Sequence, residues 1–229
     1  MSKLFIYDLE TTGTDHKQHA IHQISGIIVI NGVKKQEFDF KVAPHASAVI
    51  DEDAIKVSNV TKEQIMTYPA NILVHRQLLG LLGKYVNKFA KTDKFHLLGY
   101  NNKGFDNDFF RTFFNLCGDT YYGSWFWADS IDALVLASDY LQDERSKLLN
   151  FQLRTVAAHL GIPVDETKLH DAQYDIYLTY EIYKIVSHKK EVEKPTFEEN
   201  MKTIVEFQGE IANASLGSNM MGNPQTQLF

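Results

Sequence analysis

The chain has 229 residues, 44% of them hydrophobic and 23% charged, which excludes a disordered or fibrous protein and leaves room for one substantial core plus an appendage. Its 29 acidic and 23 basic side chains give a net charge of −6, which excludes coating nucleic acid by bulk positive charge, so any such role must be local and metal-assisted. One cysteine, Cys117, excludes an intramolecular disulfide framework and a multi-cysteine zinc site, and it fits a reducing, cytoplasmic compartment.

No apolar run approaches the ~18 residues that a membrane span needs. The N-terminal segment meets an acid at Asp8 and does not read as a signal peptide. Residues 3–8 read as a short buried strand ending in a carboxylate. Residues 20–31 and 33–42 read as two further strands, joined at Asn31-Gly32, a pair suited to the positive φ of a hairpin turn. In the second of them Phe38, Phe40 and Val42 alternate with Glu37, Asp39 and Lys41, so one face is buried and one is wet.

The pattern then changes to alternating helices and strands. Thr61-x-x-Gln64 has capping-box spacing and opens a short helix. A longer helix begins near Pro69, with Ile72, Leu79, Leu82, Val86 and Phe89 as its apolar stripe. Residues 95–100 form a strand and 105–116 a helix. Residues 125–128 are strand-like, and Asp129 or Ser130 caps a helix in which Ile131, Leu134, Val135 and Leu141 share a face. Leu153, Val156, Ala157 and Leu160 mark another helix, stopped by Gly161 and Pro163, and the last core helix runs over 172–186. This order implies an α/β fold, a mixed sheet flanked by helices. Beyond about residue 187 the pattern weakens into a flexible extension.

Three clusters carry chemistry. Asp8 and Glu10, two apart on a strand, point to one face as paired carboxylates, and Thr12-Gly13-Thr14 turns the chain away. Asn102-Lys-Gly-Phe105-Asp106 follows the strand at 95–100 and enters a helix, where Asp106 is either a cap or a third carboxylate at a strand's C-terminal end. His170 stands at a loop-to-helix junction with Asp175 five positions later.

Together these clusters resemble the motifs of the DEDDh family of 3′→5′ exonucleases, the superfamily of the proofreading epsilon subunit of bacterial DNA polymerase III. D-x-E-T-T-G is complete from Asp8 to Gly13, and H-x4-D is complete from His170 to Asp175. The second motif departs from the family pattern only at Asn101, where a histidine is common and which is not one of the catalytic five. Residues 50–65 are similar to the family's helical A-x-x-V-x-x-V-T stretch, and the resemblance covers residues 3–188.

The resemblance implies a ribonuclease-H-like five-stranded mixed sheet in an exonuclease domain over 1–188, with 189–229 as a C-terminal extension. It also implies Asp8, Glu10, Asp106 and Asp175 as ligands of two divalent ions. An oxygen-only donor set favours Mg²⁺ or Mn²⁺ over zinc. His170 would take a proton from the metal-bound water, releasing 5′-mononucleotides stepwise from single-stranded or frayed 3′ ends. By the same analogy Leu9, Thr11, Asn102 and Phe105 contact substrate, and Lys103 reaches a phosphate. Tyr121, Tyr122, Trp125 and Trp127 are either base-stacking aromatics or core.

The chain ends Gln225-Thr-Gln-Leu228-Phe229, similar to the pentapeptide by which bacterial proteins dock into the sliding clamp. Gln225, Leu228 and Phe229 would be its contacts, and the tail would raise the enzyme's effective concentration at a DNA end. That tail favours DNA, in replication, repair or proofreading, over the alternatives of a 3′→5′ exoribonuclease or a non-catalytic replisome tether.

Overall fold

Alternation along the N-terminal strand sorts its side chains into two layers, and every later element packs against one or the other. The computed structural model describes residues 2–168 and 171–187. Its sheet has five strands, β1 (Lys3–Thr11), β2 (Ile21–Ile30), β3 (Val33–Lys41), β4 (His96–Gly99) and β5 (Ile131–Asp132), in the order β3-β2-β1-β4-β5. The β1–β2 and β2–β3 pairs are antiparallel, and the β1–β4 and β4–β5 pairs are parallel. The expected mixed five-stranded sheet is therefore present, and the hairpin turns at Asn31 (φ 50°) and Gly32 (φ 77°) as its dipeptide requires.

The eight α-helices of the described residues are α1 (Glu52–Val57), α2 (Lys62–Ile65), α3 (Asn71–Leu82), α4 (Asp106–Leu116), α5 (Tyr122–Trp125), α6 (Ala133–Tyr140), α7 (Leu153–His159) and α8 (Ala172–Val186). On one face of β1, Phe5, Tyr7 and Leu9 enter a core built with α3, α4 and α5. On the other, Leu4 and Ile6 pack with Ile27, Val29, Leu98 and Ile176 of α8. The first core is dominated by aromatics. The Phe5 ring lies 4.9 Å from Phe38 and 5.4 Å from Phe126, and Phe110 contacts Tyr7, Phe114 and Tyr122 at 5.2, 5.4 and 5.9 Å. Phe38 reaches over β2 because Gly26 lies beneath it; a Cβ there would meet the Phe38 ring at 2.2 Å and the Ile6 carbonyl at 2.4 Å.

Several boundaries differ from the sequence expectation. Helix α3 ends at Leu82, capped by Gly83, so Val86 lies beyond it and Phe89 is 85% exposed rather than part of a stripe. Gly80 and Gly83 lower helix propensity in that last turn. Residues 122–125 are helical, and the strand expected at 125–128 is reduced to a single bridge between Phe95 and Phe126. Asp132, not Asp129 or Ser130, caps α6 by accepting from the Leu134 N–H, which places Ile131 in β5 and leaves Val135 exposed. Thr61 does cap α2, accepting from the Gln64 N–H at 3.2 Å, and α8 spans the expected residues. The extension at 189–229 lies outside the described residues. No described helix is long and apolar enough to cross a membrane.

Phe110 sits at the centre of the aromatic core, one turn along α4 from Asp106. Phe110→Ala is expected to lower the unfolding free energy by about 3–5 kcal/mol in urea titration, whereas Phe89→Ala changes it by about 0.5 kcal/mol or less.

Candidate active site

The first strand delivers Asp8 and Glu10 to the face that α8 covers, at the end of β1 where a register shift between Glu10 and Thr11 releases the chain from β2. The turn that follows is fixed by Thr12, which is fully buried. Its hydroxyl donates to the Val49 carbonyl at 2.7 Å and accepts from the Ala20 N–H at 3.0 Å. Gly13 is required here because a Cβ would overlap the His19 ring. Thr11 donates to the Gly13 carbonyl at 2.7 Å.

Asp106 comes from the opposite direction. It is the first residue of α4, buried, and it is not the cap: Phe105 holds that position with no side-chain hydrogen bond. Its carboxylate instead receives the backbone N–H groups of Asp106 itself and of Leu9. The loop before it bends through Asn101 (φ 58°) and Gly104 (φ 88°). Asp175 enters from the first turn of α8, whose N-cap Asp171 accepts from the Tyr174 N–H at 3.0 Å.

These carboxylates sense one another. Asp8 is pushed well above the ordinary carboxylate range, first by burial and then by the negative charges of Asp106, Glu10 and Asp175. Burial also raises Asp106, to about 7, against the lowering effect of its two N–H donors; Glu10 and Asp132 add to the rise. Tyr7, beside Asp8 and fully in the core, is raised chiefly by burial, and its hydroxyl donates to Asn107 Oδ1 at 2.7 Å. Acids from three elements thus act on one another through their charge. Among the described residues, no three His, Cys, Asp or Glu side chains gather tightly enough to hold a single ion. Glu10 is held by a hydrogen bond from the Ser58 hydroxyl.

The remaining expected site residues fall into separate groups. Leu9 places its side chain in the aromatic core and its N–H on Asp106. Asn102 is fully buried, and among the described residues neither atom of its amide has a hydrogen-bond partner. Phe105 is partly buried, its ring 5.1 Å from Phe109. Tyr122 and Trp125 belong to the core, Tyr121 is exposed, and Trp127 lies partly buried outside the core cluster. His170 and the tail residues Gln225, Leu228 and Phe229 lie outside the described residues.

Three contributors escaped the sequence reading. Ser58 holds Glu10. Asp132 accepts at 2.9 Å from the Asn101 N–H and so ties the second-motif loop to the start of α6. Asn107 links Tyr7 to Ser130, donating to its hydroxyl at 2.9 Å. Ser58 sits within the 50–65 element already singled out; the other two give no local signal.

With this geometry in view, comparison with protein families gives a match to RNase_T, described as exonuclease, over residues 5–183. The chain belongs to the RNase_T exonuclease family. The kinship drawn from the three motifs is therefore borne out.

Comparison with curated protein sequences found no match. Among solved structures, the chain is similar to Escherichia coli exonuclease I in complex with a dT13 oligonucleotide. The TM-score is 0.66 and the identity 22%, over 83% of this chain and 42% of that one. It is likewise similar to the zinc-bound form of an E. coli exonuclease I–single-stranded DNA complex, with TM-score 0.66 and 20% identity over 83% and 41% of the two chains. A product-bound exonuclease I gives TM-score 0.63 and 20% identity over 82% and 43%. The chain therefore spans about two-fifths of the exonuclease I chains it matches. At this identity the likeness is one of fold, and it bears out the ribonuclease-H-like architecture.

The raised Asp106 has a consequence for the metal-free protein. An unfolded aspartate titrates near 3.8 and the folded one near 7, so between those values the folded state holds the proton more tightly. Stability from this group is present at low pH and lost as pH rises through about 7. In EDTA, Asp106→Asn is expected to raise the unfolding free energy at pH 8 by on the order of 2 kcal/mol and to leave it nearly unchanged near pH 4. Urea unfolding at the two pH values measures both.

Proposed function

We propose that this protein is a divalent-metal-dependent 3′→5′ exonuclease that removes 5′-mononucleotides from single-stranded or frayed DNA ends. The observation that carries the reading is that Asp8, raised first by burial, is raised further by the charges of Asp106, Glu10 and Asp175, acids brought from β1, α4 and α8 inside an exonuclease-family domain. Such a cluster is destabilised by its own charge and is relieved by cations. Its donors are all carboxylate oxygens, a set that fits Mg²⁺ or Mn²⁺ in kind. The cations themselves would have to draw the ligands together, because the described residues do not gather three of them at one point.

In this reading Asp8, Glu10, Asp106 and Asp175 would hold two divalent ions. When bound, the ions neutralise charge on the attacking and leaving oxygens of an in-line phosphoryl displacement. The chain's own residues supply the rest. Leu9 N–H steadies the Asp106 carboxylate, and Ser58 steadies Glu10. His170 accepts the proton of the attacking water, as imidazole can near neutral pH. Leu9, Thr11, Asn102 and Phe105 border the terminal nucleotides. The orphaned amide of buried Asn102 supports a contact made only when substrate is present.

The single-stranded DNA bound by the exonuclease I structures supports DNA as the substrate, and one free cysteine supports a cytoplasmic setting. The domain boundary near residue 188 and docking of Gln225, Leu228 and Phe229 into a bacterial-type sliding clamp remain part of this proposal, on sequence alone.

The test uses 5′-labelled single-stranded DNA and RNA with Mg²⁺, Mn²⁺ or EDTA. A descending ladder on DNA is expected with either metal and not with EDTA. Asp8→Asn and Asp106→Asn should abolish it, and His170→Ala should slow it by about a hundredfold or more. A ladder on RNA alone overturns the substrate assignment, and no shortening of either strand in Mn²⁺ overturns the enzyme in favour of a tether.

A further inference from the structure

Helix α4 has two working faces. Asp106 and Phe110 look toward β1 and the aromatic core, while Asp108 and Arg111, three apart on the helix, face a cavity, with Asn107 at its edge and Gly104 of the preceding loop beside them. That second face forms one wall of a cavity of about 310 Å³, closed by Lys103 of the second-motif loop, Tyr122 of α5, and the 127–130 segment. The carboxylates of the candidate active site do not line it. It is nevertheless coupled to them: Tyr7, the residue before Asp8, donates to Asn107, and Asn107 donates to Ser130 on the opposite wall.

The lining has a specific chemistry. Trp127 supplies an indole that is only partly buried, with His96 and Lys94 within 5.9 and 5.2 Å of its ring. The Arg111 guanidinium lies 4.5 Å from the Tyr122 ring centre, held in place while remaining exposed. Among the described residues neither Lys103 nor Arg111 forms an ion pair, although Asp108 and Asp129 line the same cavity. An aromatic surface, two cations with open valence, and two carboxylate acceptors match the three parts of a nucleotide. The ring stacks the base, Lys103 and Arg111 take the phosphate, and the carboxylates accept from base amino or sugar hydroxyl groups.

We propose that this cavity is a nucleotide subsite separate from the catalytic carboxylates. The inference rests on the exonuclease reading for the identity of its ligand. One nucleotide unit can come from two sources, the released 5′-monophosphate or an internal unit of the bound strand.

Both are tested on the full chain in EDTA, where the negative charge of the catalytic carboxylates repels phosphate and that face contributes least. Binding of 5′-AMP is followed by calorimetry and that of a 5′-labelled single-stranded oligo(dA) by anisotropy. Trp127→Ala and Arg111→Gln are each expected to weaken binding about tenfold, the effect of one lost stacking or charge contact. Trp127→Phe should restore part of the loss, which separates stacking from a folding defect. Asp106→Asn should leave AMP binding in place. Loss with AMP identifies the free product as occupant, and loss with oligo(dA) alone identifies the strand.

The subsite is overturned if neither probe binds at millimolar concentration. It is equally overturned if binding survives Trp127→Ala and Arg111→Gln within twofold, or is lost only in Asp106→Asn. A chain that fails the ladder assay but shows variant-sensitive AMP binding would keep the subsite and lose the exonuclease. A normal ladder with variant-insensitive binding would do the reverse.

Discussion

Repulsion among clustered carboxylates is the constraint around which this fold is arranged. Four acids drawn toward one strand end oppose folding, and hydrophobic burial elsewhere must offset that cost. The aromatic core supplies that counterweight on the far face of β1, where Phe5, Phe38, Phe110 and Phe126 bury large surfaces. One strand therefore has opposite duties on its two faces. Phe5, Tyr7 and Leu9 bind the domain together, while Asp8 and Glu10 are held against their own repulsion. The strict alternation of a β-strand makes this possible within a few residues.

The acids are also anchored individually. Backbone N–H groups receive Asp106, a serine hydroxyl holds Glu10, and Asp132 fixes the loop that leads into α4. None of these anchors neutralises the charge. They set the geometry and leave the electrostatic tension in place, the arrangement expected of a site whose charge is met from outside.

Much of this was legible in the sequence because it is local. Asp8 and Glu10 share a face through strand period alone, the Asn31-Gly32 turn announces the hairpin, and α8 carries a clean helical stripe from Ala172 to Val186. What was illegible arises from contacts distant in sequence. Residues 121–128 hold five aromatics with no period, and only packing against Phe95 and α4 makes a short helix followed by a single bridge. Asp132 rather than Asp129 became the cap because pairing of Ile131 with Leu98 fixes where β5 ends. Ser58, Asn107 and the wall formed by Lys103, Arg111 and Trp127 meet their neighbours only after the sheet is assembled. Asp106 was ambiguous for a sharper reason: a helix-first aspartate normally caps, and only the approach of Leu9 shows that it does not.

The strand order leaves β3 and β5 as the outer strands of an open sheet, where unpaired backbone groups invite a neighbouring molecule to add another strand. Both are poor templates. β5 is two residues long, and β3 carries Lys34, Lys35, Glu37, Asp39 and Lys41 along its length. A second copy aligning there would have to bury several of those charges or break its register. The margins of the sheet thus discourage strand-swapped oligomers and fibrils.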